Sequence, residues 1–152
     1  MKTNWERSLA FVLKWEGGLI DHKNDPGGIT KYGISQRSYP HLTRDDIKGM
    51  SKEFAAAMYL RDYWFANGCE NMKWPLCLVA FDTAVNMGRK RWMLFYKDAV
   101  VKGKNDAEIA MDVLESRRAF YLKLATRQKF KVFLKGWLNR LNDLKKTCLE
   151  KG

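Results

Sequence analysis

This 152-residue chain has few cysteines and histidines and far fewer acids than bases, and each shortage excludes something. Its three cysteines, Cys69, Cys77 and Cys148, form an odd set with no CxxC pair. That excludes a zinc ribbon and a disulfide framework, and fits folding in a reducing compartment. With only two histidines, His22 and His41, and no thiol pairing, a zinc hydrolase lacks its ligands, and no metal or cofactor is expected. No run of about 18 apolar residues exists to span a membrane. The segment Met1 to Arg7 has neither the apolar stretch nor the small-residue cleavage site of a secretory signal, so accumulation in the cytoplasm is expected. Acids are scarce too: 17 Asp and Glu face 28 Lys and Arg, for a net charge of +11. A surface this basic draws polyanions such as nucleic acid, anionic lipid or an acidic bacterial envelope, without choosing among them.

What is present argues for one folded unit. The length suits a single domain with a real core, and a hydrophobic fraction of 46% rules out general disorder. No repeat, linker or low-complexity segment interrupts the chain.

Thr3-Asn4-Trp5-Glu6 is a capping-box pattern that starts a helix. Trp5, Leu9 and Val12 mark one face, Glu16 continues it, and Gly17-Gly18 ends it. Asp25-Pro26-Gly27-Gly28 signals a turn before the β-prone run Ile29 to Ile34, which reads as a small irregular hairpin. Thr43 and Ser51 are candidate caps, the second opening a helix through Phe54, Met58 and Phe65. Trp74-Pro75 opens a helix from Leu76 to Met87 that is apolar on nearly every side and therefore central. Asp82 and Asn86 are its polar exceptions, four residues apart. Further helices are expected from about 89 to 101, from about 107 to 127 with Asp106 as cap, and from about 130 to 150.

Chemistry concentrates in the front third. Glu16 lies on the apolar face of a helix end, where burial would favour a protonated acid of the kind that glycosidic cleavage uses; the alternative is a glutamate curling out to solvent. Asp25 is either the second carboxylate of such a pair or a turn residue, and Thr30 either orients a water or is a strand residue. Asp21 is a spare carboxylate in the same loop. A calcium loop fails at Lys23 and at Tyr32, which stands where the closing glutamate belongs. Ser35, Ser38 and His41 form no nucleophile motif.

The run EGGLIDHKNDPGGITKYGIS resembles the signature of glycoside hydrolase family 108, lysozyme-like muramidases of phage endolysins and related bacterial proteins. Glu16-Gly17-Gly18, Asp25-Pro26-Gly27-Gly28, Thr30 and Gly33-Ile34 all match. Tyr63-Trp64, the stretch Phe81 to Gly88 and the stretch Phe133 to Arg140 are similar to later family motifs. After Gly88 the sequence RKRWMLFYKDAVVKGKNDAEIA departs from the family by lacking its glycine-proline turn.

The resemblance implies a mostly α (α+β), lysozyme-like fold: a small lobe with a short β-hairpin packed against a helical lobe. Residues 1–88 would form the catalytic segment. Residues 89–152 would be a helical segment, similar to the family's predicted peptidoglycan-binding part, completing the same domain. It also implies Glu16 as general acid, Asp25 to activate a water and Thr30 to hold it. Asp21, Tyr32, Asp82 and Asn86 are the candidate substrate contacts, with Asp82 and Asn86 equally suited to tying the hairpin to the core. The implied partner is bacterial peptidoglycan, reached with the help of a holin by a monomer, and nucleic acid is not expected.

Two other readings compete. The basic, aromatic stretch from Arg117 to Lys151 suits a nucleic-acid-binding module, although Trp137, Leu141, Leu144 and Cys148 recur at the spacing of a helix packed on a core. That same C-terminal helix is a candidate for weak contact with anionic membranes. An inactive wall-binding protein is the remaining alternative.

Overall fold

The computed structural model describes residues 1–21 and 28–151; Asp25, His22 and Lys23 lie outside these described residues. Helix α1 spans Asn4–Glu16, and Thr3 caps it in a complete capping box with Glu6. Gly17, at φ 72°, terminates it. Three short strands follow, β1 (Ile20–Asp21), β2 (Ile29–Lys31) and β3 (Ile34–Ser35), in an antiparallel sheet of order β1-β2-β3. The expected single hairpin is thus a three-stranded sheet. The run from Ile29 to Ile34 is split by a two-residue turn, Tyr32 at φ 52° and Gly33 at φ 81°, between the paired Lys31 and Ile34. Positive φ at both central residues matches the right-handed twist of the strands it joins.

Helices α2 (Arg44–Lys48) and α3 (Lys52–Tyr59) start at Thr43 and Ser51, as their side-chain chemistry predicts. Beyond Tyr59 the expected helix does not continue to Phe65. It widens into a turn of π-helix, Leu60–Trp64, then tightens into a 3₁₀ turn. Ala55, Met58 and Tyr59 supply the buried stripe, while Phe54 and Phe65 remain about half exposed, at 54% and 53%.

Helix α4 (Leu76–Met87) is the centre of the molecule, with nine of its twelve residues buried. It packs against α1 and against α5 (Arg89–Ala99), α6 (Asp106–Leu124) and α8 (Leu134–Cys148). Phe81 on α4 anchors an aromatic cluster with Trp5, Tyr59 and Trp64, all with ring centroids within 6 Å of its own. Such offset and edge-on pairs each add about 0.5–1.5 kcal/mol beyond area burial.

Two later helices also differ from expectation. The cap of α6 is Asn105 rather than Asp106, because the Asn105 side chain accepts from the Glu108 N–H and completes a capping box. The last predicted helix is two: short α7 (Gln128–Lys131), a break at Val132–Phe133, then α8. The stripe Leu141, Leu144 and Cys148 faces the core, with Trp137 stacked on Tyr121. The apolar face of the C-terminal helix is therefore already covered by the protein. Cys69, Cys77 and Cys148 are free and buried, and burial pushes the Cys77 thiol up to about 11. No helix among the described residues is long and apolar enough to cross a membrane.

Candidate active site

Glu16 ends α1, and three contacts set its position. The first is local and steric. A Cβ built on Gly33 would meet the Cβ and Cγ of Glu16 at 3.0 Å and the Tyr59 hydroxyl at 2.3 Å. The β2–β3 turn can press against the stem of Glu16 only because residue 33 has no side chain, and its φ of 81° favours glycine as well. The second contact anchors that turn: the Tyr59 hydroxyl donates to the Tyr32 carbonyl at 2.6 Å. Burial, and next the charge of Glu16, push the Tyr59 phenol above its ordinary range, so it stays a donor.

The third contact comes from 124 residues away. Arg140 Nη1 on α8 donates to Glu16 Oε1 at 2.9 Å. The Glu16 side chain is 23% exposed and ion-paired, so the apolar setting suggested by its periodicity is not what the fold provides.

Arg140 is itself held from behind. Its Nε and Nη2 donate to Asp82 Oδ1 at 3.2 and 2.7 Å, and Arg117 Nη1 donates to Asp82 Oδ2 at 2.8 Å. Burial works against the Asp82 carboxylate, but Arg140 and then Arg117 outweigh it and hold it below the usual carboxylate range. Arg117 also donates to Thr83 Oγ1, Asn86 Oδ1 and the Tyr121 hydroxyl, and Tyr121 donates in turn to Asn86. Two carboxylates and two guanidinium groups thus form a charge-balanced chain running from the core to Glu16. A buried charge is tolerable only when it is paired, and each of these four is, although the buried Arg117 Nε has no hydrogen-bond partner among the described residues.

The other candidate residues divide by place. Asp82 is fully buried with both oxygens engaged, and so has no surface to offer a ligand. Its partners lie on α6 and α8, so it ties those helices to α4, and among the described residues it makes no hydrogen bond to the hairpin it was expected to hold. Asn86 is half-buried at the end of α4, with its carbonyl oxygen engaged by Arg117 and Tyr121. Asp21 is exposed on β1 and pairs with Arg44. Thr30 is half-buried at the middle of β2, opposite Ile20 and Ser35. Tyr32 lines a groove of about 530 Å³ with Leu13, Gly17, Gly18 and Lys52 at the end of α1. Asp25 lies outside the described residues. Among those residues no three His, Cys, Asp or Glu side chains cluster as a metal site would.

Against this geometry, the family model described as Glycosyl hydrolase 108 matches residues 9–88, just over half of the chain. The chain belongs to that family. The matched stretch of this glycosyl hydrolase 108 protein holds Glu16, Gly33, Tyr59 and Asp82, and stops before Arg117 and Arg140. The structure of Brucella abortus SagA is similar over 95% of this chain and 93% of that one, with a TM-score of 0.80 at 21% identity. That likeness establishes a shared fold. No curated protein sequence matches this chain.

Arg117 and Arg140 escaped the sequence reading as site residues, yet both carried a signal. Each occupies a core register, Arg117 among Ala110, Val113, Leu114 and Tyr121, and Arg140 among Trp137, Leu141 and Leu144. An aspartate inside an apolar helix needs a cation, and these are arginines at buried helical positions.

Proposed function

We propose that the protein is an N-acetylmuramidase that hydrolyses the β-1,4 bond between N-acetylmuramic acid and N-acetylglucosamine in peptidoglycan. The observation that carries this reading is Glu16: in a glycosyl hydrolase family member, it stands at a helix end, partly open to solvent and held by Arg140 and by the bare backbone of Gly33.

In this reading Glu16 is the general acid. Arg140 occupies Oε1, so proton delivery falls to Oε2. Oε2 protonates the glycosidic oxygen as the bond from that oxygen to the anomeric carbon breaks. Water adds to the anomeric carbon, and its proton passes to the second carboxylate, for which Asp25 is proposed, with Thr30 orienting the water. Asp82 and Arg117 act behind Arg140 as positioning residues, because a misplacement of about 1 Å costs on the order of 10²-fold in rate. Tyr32 and Asn86 are proposed to contact the glycan.

Digestion of purified peptidoglycan followed by mass spectrometry of the new reducing ends tests the bond assignment. Ends in N-acetylmuramic acid support it, and ends in N-acetylglucosamine overturn it. The proposed setting is phage lysis, with a holin admitting the enzyme to the wall. Cytoplasmic expression should then lyse cells only when a holin is co-expressed, and lysis without one would contradict that setting.

A further inference from the structure

From residue 116 to residue 142 the chain has no Asp or Glu. Two of its cations in that stretch, Arg117 and Arg140, are consumed by the buried chain behind Glu16. Of the others, Arg118 is half-buried and donates to Asn142, whereas Lys123, Arg127, Lys129, Lys131 and Lys135 are all exposed, near the corner where α6 gives way to α7 and α8. At the tip of that corner Val132 is 78% exposed and Phe133 53%. Leu122, beside Lys123, is exposed as well.

The tip is a supported feature. Phe133 stacks on Trp137 with centroids 5.9 Å apart, and Trp137 stacks on the buried Tyr121 at 5.3 Å. The Phe133 N–H donates to the Phe130 carbonyl, closing the turn between the two helices. Next to it, Arg91, Lys123 and Arg127 line a groove of about 460 Å³ whose other walls are Phe120, Leu124 and Thr126. Three cations around a groove without an acid suit a phosphate group, and the exposed apolar pair nearby suits acyl chains. The combination is that of a surface made to rest on a bilayer of anionic lipid, with charge drawing it in and aromatic side chains entering the interface.

We propose that the corner from Arg127 to Lys135, with the Arg91–Lys123–Arg127 groove, docks the protein on anionic phospholipid bilayers. The proposal is independent of the reaction assigned to Glu16. It also differs from contact through the apolar face of α8, which the core already covers.

Co-sedimentation of the full-length protein with phosphatidylcholine vesicles, with and without phosphatidylglycerol, tests it. Binding is expected only with phosphatidylglycerol, to fall with salt, and to shift the tryptophan emission to the blue. The double variant Lys129→Glu/Lys131→Glu should weaken binding by at least about fivefold per cation. Val132→Ser/Phe133→Ser should weaken it by roughly tenfold and abolish the emission shift. Both variants change exposed side chains, and unchanged melting temperatures would confirm that they fold. Equal binding to neutral vesicles, no binding to either, or retained binding by both variants would overturn the proposal. So would tighter capture by double-stranded DNA than by the anionic vesicles, which would make this a nucleic-acid surface.

Discussion

The front of the molecule and its helical interior are built on different terms. Strands β1 to β3 are two or three residues long and bury only Ile29 and Ile34, yet they carry or adjoin the residues of the family signature. Helix α4 and its neighbours supply most of the core, and carry a buried ionic chain that no short motif announces. Glu16 sits where the two meet. Its stem is packed by the front through Gly33 and its carboxylate is held by the interior through Arg140. The difference teaches that the signature names Glu16, the proposed acid, whereas the remote helices set its geometry.

The sharpest way to break this comparison is at Asp82. Asp82→Ala leaves two buried guanidinium groups without their carboxylate, and should cost about 3–5 kcal/mol of stability. Glycan cleavage should fall as well, although Asp82 has no surface for substrate. Denaturant unfolding and an activity assay on the same sample check both. Little change in either would mean that the ionic chain is not what holds the interior to the site.

A smaller perturbation tests the front. Gly33→Ala places a methyl group against Tyr59 and Glu16 at a φ that alanine resists, for about 1–3 kcal/mol. Its activity should drop further than its stability loss explains, as seen by assaying well below its melting temperature. Activity that follows the folded fraction alone would make Gly33 a folding residue only.

Acid separates the interior from the front more gently. The folded Asp82 titrates below its unfolded value of about 3.9, so its contribution is fully present above that pH and is lost as pH falls through the folded value. Asp143 behaves alike: burial opposes its ionisation, but Lys14 and Trp15 donate to it and prevail. The melting temperature should therefore decline below about pH 4, and Asp82→Asn should flatten part of that decline. An unchanged acid slope in the Asn variant would remove Asp82 from this account.

The smallest effect is expected far from the site. Thr3→Ala removes the capping box of α1 and should cost about 1 kcal/mol in thermal unfolding without altering cleavage by the folded enzyme. A comparable loss of activity would show that the start of α1 is coupled to its end.

Local signals made much of the fold legible. Thr3, Thr43 and Ser51 cap the helices they were expected to cap, and the unbroken apolar character of Leu76 to Met87 made α4 central. The π turn after Tyr59 and the break at Val132–Phe133 were not legible, because no glycine or proline marks either point. At the site, Glu16 stood out through the residues around it. Its partner did not, since Arg140 lies in a stretch so rich in cations that one buried guanidinium is hidden among solvated ones. The polar position of Asp82 was visible; what it implied for Arg117 and Arg140 required the helices to be placed.

The most direct test of the central claim compares wild type with Glu16→Gln, measuring peptidoglycan cleavage and thermal unfolding on the same preparations. The account predicts a folded variant, since Arg140 keeps Asp82, with cleavage reduced by roughly 10²–10⁴-fold. A folded variant that cleaves at a rate close to wild type would contradict it.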